Sequence, residues 1–107
     1  MNKNEYLAEL KGLNQALQIV TSQIVEANKN AIETGSDETL RIRKEEHHAK
    51  LLMIYSKFNN INPPSGFEKA HQLYLESINY SMKGEISMAS NTHMMAHNET
   101  MNAAGLR

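Results

Sequence analysis

The side chains best suited to chemistry in this chain are a carboxylate and an imidazole that lie one helical turn apart in the segment 45–48. Glu45 and His48 have the spacing Glu-x-x-His, which places both on one helix face, as di-metal sites in helical bundles require. A helical hairpin would bring Glu26 opposite Glu45, and a third helix would bring Glu76 opposite His48. These four residues could therefore form a carboxylate and histidine metal site.

To that extent the segment resembles the ferritin-like proteins, including the short two-helix kind that completes its site by dimerising. The resemblance implies a small metal-binding protein as the alternative function. Glu45 and His48 belong to a charged block, residues 41–48. The competing interpretation is that this block is a solvent-exposed helix face with ion pairs such as Arg41 with Glu45 and Glu46 with Lys50. Glu45 and His48 also lie off the apolar stripe of their helix, which favours the structural interpretation.

Other histidines have spacings that raise the same question. Glu68 and His71 repeat the Glu-x-x-His pattern, but the simpler interpretation is a hydrogen-bonded core histidine beside a helix-capping glutamate. His93 and His97 are spaced i,i+4 beside Met94 and could attract copper, although methionine at such positions more often provides adaptable packing. We therefore predict no resident metal and no cofactor, and a contact surface lined by methionine.

Composition argues against several classes of function. The 107 residues carry a formal net charge of −1, which gives no electrostatic reason to bind nucleic acid or an anionic membrane. The chain has no cysteine, so it cannot use disulfides, thiolate metal sites or cysteine nucleophiles. No secretory signal or membrane-spanning run is evident. We expect one cytoplasmic domain over residues 1–107, without a nucleic-acid or membrane partner.

The spacing of apolar residues predicts an all-α fold. Over residues 6–31 they recur at alternating steps of three and four, the pattern of a helix that buries one stripe, here called the seam, against its neighbours. The segment 34–37 predicts a tight turn, and the segment 59–66, with its two prolines, predicts a second turn. The prediction is a three-helix antiparallel (up-down-up) bundle with helices at approximately 4–34, 37–60 and 64–102.

The predicted core seam consists of the large apolar residues at these helical spacings: Leu10, Leu13, Leu17, Val20, Ile24, Leu51, Ile54, Phe58, Phe67, Tyr74 and Ile78. His47 also falls on the seam, so it must find a partner or lie at an edge. Gly12, inside the first helix, predicts close approach of a neighbouring helix. Gly84 is a weak breaker, so we expect the long third helix to continue through it; the alternative is a kink at Gly84 followed by a fourth short helix.

The predicted third helix is longer than the second, so its C-terminal part would overhang the hairpin. The overhang would carry the predicted interaction surface: Met88, Met94, Met95 and Met101. A second copy of the chain is its simplest cover. The leading hypothesis is therefore a non-enzymatic protein–protein interaction module: a homo-oligomeric helical regulator, inhibitor or adaptor that presents an exposed helical face to a protein partner of unknown identity.

Overall fold

A computed structural model describes residues 1–35 and 37–105, the side chains at positions 39 and 40 aside. The prediction of an all-α fold is confirmed, and no strand occurs in the described part of the chain. The prediction of three helices is wrong, because the long third helix is divided in two. The helices are α1 (Lys3–Thr34), α2 (Asp37–Asn59), α3 (Glu68–Met82) and α4 (Ile86–Ala104).

Both ends of α1 are capped by hydrogen bonds to backbone amides. At the start, the Asn2 side chain accepts the Glu5 amide at 2.8 Å, and the Glu5 carboxylate accepts the Asn2 amide at 3.4 Å. This reciprocal capping box satisfies two amides that the helix itself leaves unpaired. At the end, Gly35 has φ +66°, and its amide donates to the Ala31 carbonyl at 2.8 Å. The predicted left-handed turn at Gly35 is confirmed, and the predicted capping role of Ser36 falls outside the described residues.

The chain reverses direction between α3 and α4. Gly84 has φ +78°, a left-handed conformation that glycine adopts without steric cost. The Gly84 amide donates to the Ser81 carbonyl at 3.1 Å, and the Glu85 amide donates to the Tyr80 carbonyl at 3.0 Å. The predicted continuation through Gly84 is therefore wrong, and the alternative, a separate fourth helix after Gly84, is present. The methionines of residues 88–101 do not overhang the hairpin.

The start of α3 also differs from the prediction. We expected a helix from about residue 64, capped by Ser65 and Glu68, but α3 begins at Glu68 with no side-chain cap at Phe67. The Glu68 carboxylate instead accepts the Gly66 amide at 2.9 Å. The proline segment thus remains a non-helical connection up to Phe67, which lets that aromatic ring enter the core.

α4 packs antiparallel against α3. Lys69, near the start of α3, lies 3.4 Å from the Glu99 carboxylate near the end of α4. Further along, the Tyr74 ring meets the His93 ring edge-on, with centroids 5.4 Å apart. α4 turns small side chains towards α3, among them Ala89 and Ala96, which allows the two helices to approach closely.

The core lies where the first half of α1 meets α2 and α3. Its centre is Tyr6, whose ring has no solvent exposure and lies 5.4 Å from the Phe67 ring, centroid to centroid. Predicted seam residues that are buried here are Leu10, Leu13, Val20, Leu51, Phe58, Phe67, Tyr74 and Ile78. Leu17, Ile24 and Ile54 pack against this cluster and are partly buried. No close helix approach occurs at Gly12, because a Cβ atom placed there would meet nothing within 4 Å.

The α1–α2 hairpin is longer than the α3–α4 pair that covers it. α1 has 32 residues and is about 48 Å long at 1.5 Å per residue, and the longest dimension of the molecule is also 48 Å. α3 has 15 residues and spans about 22 Å. The far end of the hairpin is therefore a two-helix extension. No described helix is both long and apolar enough to cross a membrane.

Candidate interaction surfaces

The outward side of α4 is unusually apolar for an exposed surface. Three of its methionines are accessible, with relative exposures of 48% for Met88, 60% for Met94 and 54% for Met95. Exposed Asn91 and Asn98 lie between and beside them. We call these five residues the α4 outer face. Met101, the fourth predicted surface methionine, is half-buried at the edge of the face.

The α4 outer face is also free of charged side chains. Among the residues of α4, Glu99 is the one Asp, Glu, Lys or Arg, and its carboxylate is paired with Lys69 on α3. Charged residues are depleted and methionine is enriched at the centres of protein–protein interfaces. The α4 outer face has both properties.

The inward side of α4 fixes which residues face out. Ala89, Thr92, Ala96 and Thr100 form a buried stripe at steps of three and four. The Thr100 hydroxyl donates to the Ala96 carbonyl at 2.8 Å, so burying this side chain leaves no unpaired polar group. Because the small residues occupy the inner positions, the large methionine side chains are directed outwards.

A second surface feature is a groove at the base of the two-helix extension. Its apolar lining comes from three directions: Ile24 and Ala27 on α1, Leu51 on α2, and Met82 and Ile86 on either side of the α3–α4 turn. The groove encloses about 470 Å³ and is open to solvent along one side. We call it the hairpin groove. Its volume is within the range of ligand-binding sites in proteins.

The rim of the hairpin groove is cationic. Arg43, Lys44 and Lys83 line it, against the one carboxylate of Glu45. Glu45 is already paired with Arg41 at 3.1 Å, and Arg43 is paired with Glu46 at 3.3 Å. Within the described part of the chain, neither Lys44 nor Lys83 lies within ion-pair distance of a carboxylate. The rim therefore has unneutralised positive charge available for a bound group.

The charged side chains of residues 41–46 on α2 are solvent-exposed, as the structural interpretation predicted. The expected pair of Arg41 with Glu45 is present. The expected pair of Glu46 with Lys50 is wrong, because Glu46 accepts from Arg43 at 3.3 Å instead. All four of these ion-paired side chains are about half exposed or more, so each pair contributes little to stability.

His47 is buried between α1 and α2. Burial lowers the pKa of its imidazole, and the nearby Lys50 ammonium lowers this pKa further. Lys50 is held beside it by a hydrogen bond from its Nζ to the Gln23 side-chain oxygen on α1, at 2.9 Å. The neutral form of His47 is therefore favoured in the folded protein.

His71 is the hydrogen-bonded core histidine that the sequence predicted. Its Nδ1 lies 2.9 Å from the Tyr6 hydroxyl, and its ring packs on Phe58 with centroids 4.2 Å apart. Burial raises the pKa of Tyr6 and lowers the pKa of His71, so both groups remain neutral. The pair joins α1 to α3 inside the core, and neither residue lines the hairpin groove.

The residues of the alternative metal site lie in different places. Glu26 lines a polar groove between α1 and α2, together with His47. Glu45 and His48 line the hairpin groove, and Glu76 lines neither groove. In the described part of the chain, no three histidine or acidic side chains are close enough to hold a metal ion. A site completed by a second copy stays a prediction.

Comparisons of this chain with protein-family models, with curated proteins and with solved structures found no match. The sequence predicts a surface at the methionines. The scarcity of charge in residues 86–104, where Glu99 is the one Asp, Glu, Lys or Arg, is a further sequence signal for an interface. The hairpin groove had no such signal, because its lining combines residues from all four helices.

Proposed function

We propose that this protein is a non-enzymatic protein–protein interaction module, a small helical regulator, inhibitor or adaptor that works as a homodimer. In this proposal the α4 outer face is the dimer interface, and the hairpin extensions remain free for a protein partner. The observation that supports it most strongly is the α4 outer face itself, which combines exposed methionines with the absence of charge.

The exposed methionines supply a driving force for association. Fully burying a methionine side chain contributes about 1.5–3 kcal/mol, and Met88, Met94 and Met95 are each about half exposed. The flexible thioether side chain also adapts its shape to an opposing surface. Covering this face would therefore stabilise an assembly without requiring rigid complementarity in the free chain.

A second copy is a suitable cover for the α4 outer face. In a two-fold interface each patch meets itself, so any charge near the axis faces its like. The exposed side of α2 would bring Arg41 and Arg43 close to their own copies. The α4 outer face carries no such charge, so self-association through it incurs no comparable repulsion.

Light scattering coupled to size-exclusion chromatography tests the proposal. We expect the wild-type peak to have a molar mass of twice the 12.1 kDa chain mass. The peak of the double variant Met88→Lys/Met95→Lys should have the single-chain mass. The matched control is Met53→Lys, because Met53 on α2 is 74% exposed and lies outside the face; this variant should remain dimeric. A wild type that is monomeric at every concentration, or a double variant that is still dimeric, would contradict the proposal.

A further inference from the structure

We propose that the hairpin groove binds an acidic amphipathic helix of a partner protein, about three turns long. The inference rests on the proposed function, because it names the class of partner that the interaction module would recognise. It depends on two independent properties of the groove. The apolar seam of α1 extends beyond the part that the rest of the protein covers, and the rim of the groove is cationic.

The apolar seam of α1 continues past the point where the rest of the protein covers it. Leu10 and Val20 are buried in the core, at 3% and 5% exposure. Ile24, Ala27 and Ala31 continue the same helical spacing but are only partly buried. The uncovered part, from residue 24 to the end of α1, is about 15 Å long. A helix of about three turns matches this length and would extend the bundle beyond the α3–α4 turn.

The groove offers this helix an apolar surface of suitable shape. Leu51 forms its buried floor, and Met82 and Ile86 close one end, where Ile86 is 58% exposed. Amphipathic helices bind such grooves by inserting side chains at positions i, i+3, i+4 and i+7. The apolar side of the bound helix would therefore cover both the groove and the uncovered seam.

The rim determines the charge of the partner. Lys44 and Lys83 line the opening without a carboxylate partner among the described residues, whereas Arg43 is paired with Glu46 and Glu45 is paired with Arg41. Acidic residues flanking the apolar side of the bound helix would lie beside these cations, which favours encounter and fixes orientation. A second copy of this chain is disfavoured as the occupant, because two grooves that met face to face would oppose the same cations.

Selection from a display library of random helical peptides tests the inference without assuming a sequence. Wild-type protein should enrich peptides that combine apolar residues at i, i+3, i+4 and i+7 with net negative charge. The double variant Lys44→Glu/Lys83→Glu should weaken binding of a selected peptide about tenfold or more. Ile86→Asp should also weaken binding, and it should leave the fold intact, because an acidic residue is favourable in the first turn of α4.

Two controls separate this inference from the proposed function. Lys11→Glu/Lys29→Glu makes the same charge change on exposed lysines that do not line the groove, and it should retain peptide affinity within about twofold. Met88→Lys/Met95→Lys should bind the peptide as the wild type does, even as a monomer. Circular dichroism of every variant establishes that it is folded.

The groove assignment would be overturned by a library that yields no binder, by binders without acidic enrichment, or by binding that the groove variants leave unchanged. Binders that are lost with Met88→Lys/Met95→Lys would place recognition on the α4 outer face. That result would overturn the groove assignment and leave an interaction function standing. If the wild type proves monomeric, the proposed dimer is contradicted, but the proposed peptide binding at the groove is not.

Discussion

At the scale of single residues, the pair of Tyr6 and His71 shows how the core fixes polar groups. The hydroxyl and the imidazole Nδ1 lie 2.9 Å apart, and both residues are buried. The sequence predicted that His71 would be buried and hydrogen-bonded, because it lies on the apolar side of its helix. It did not identify Tyr6 as the partner, since that contact depends on how α1 and α3 align in space.

Tyr6→Phe tests this contact, because it removes the hydroxyl and keeps the ring. We expect a loss of about 1–3 kcal/mol in the free energy of unfolding, since the buried His71 nitrogen is left without a partner. Urea denaturation measures the change. The control is Tyr80→Phe, because Tyr80 is half-buried and its hydroxyl makes no hydrogen bond to the described residues. An equal loss in both variants would mean that the hydrogen bond is not the cause.

The buried histidines predict how stability depends on pH. Burial lowers the pKa of His47, His71 and His93 in the folded state below the ordinary value of 6.5. The unfolded chain therefore binds more protons than the folded chain as the pH falls through and below about 6.5. Stability should be highest above pH 6.5 and should decrease progressively below it.

Urea denaturation at intervals from pH 8 to pH 5 measures this decrease. His47→Gln should make the decrease shallower, because it removes one of the buried imidazoles. His48→Gln removes an exposed imidazole from the same helix and should give the wild-type profile. A free energy of unfolding that is constant over this range would contradict the burial of the histidines.

At the scale of elements, the division of the predicted third helix is the main difference between expectation and structure. The sequence showed large apolar residues up to Met82 and few beyond it. The inner stripe of α4 uses Ala89, Thr92, Ala96 and Thr100, which a search for large apolar side chains does not detect. A single glycine without a proline is also a weak signal for a reversal, so the backbone conformation at Gly84 could not be predicted.

The two glycines that the sequence analysis placed inside helices, Gly12 and Gly84, should respond oppositely to alanine. Gly84→Ala should destabilise the protein by about 1 kcal/mol, because alanine is strained at φ +78°. Gly12→Ala should stabilise it by about 0.5–1 kcal/mol, because Gly12 lies inside α1 with open space around it. Thermal or urea unfolding distinguishes the two. Loss of stability at Gly12 would indicate that another surface approaches there.

At the scale of the whole molecule, the two candidate surfaces lie on different parts of the fold. The α4 outer face belongs to the part where α3 and α4 pack together. The hairpin groove lies where α1 and α2 begin to extend beyond α3 and α4. A dimer formed through α4 can therefore leave both grooves open. The sequence predicted a helical hairpin and a methionine interaction surface. The hairpin of α1 and α2 is present, and Met88, Met94 and Met95 are exposed, while the interaction itself stays a prediction.

The sequence predicted less well which polar side chains on different helices lie opposite one another. In the alternative metal site, the turn positions alone indicated that Glu26, Glu45, His48 and Glu76 could lie at one height. The structure distributes them between separate surfaces, because helix rotation determines which groove a side chain lines. Successive residues are about 100° apart around a helix. The spacing of apolar residues does not determine the direction of a polar side chain to within that angle.

The measurement that tests the central claim most directly is methyl NMR of methionine-labelled protein over a dilution series. The seven methionines are distributed over the chain, so each methyl group reports on its own surroundings. We predict concentration-dependent shifts or broadening at Met88, Met94 and Met95, with Met53 unchanged. Methionine signals on α4 that are independent of concentration, or changes confined to Met53, would contradict self-association through the α4 outer face.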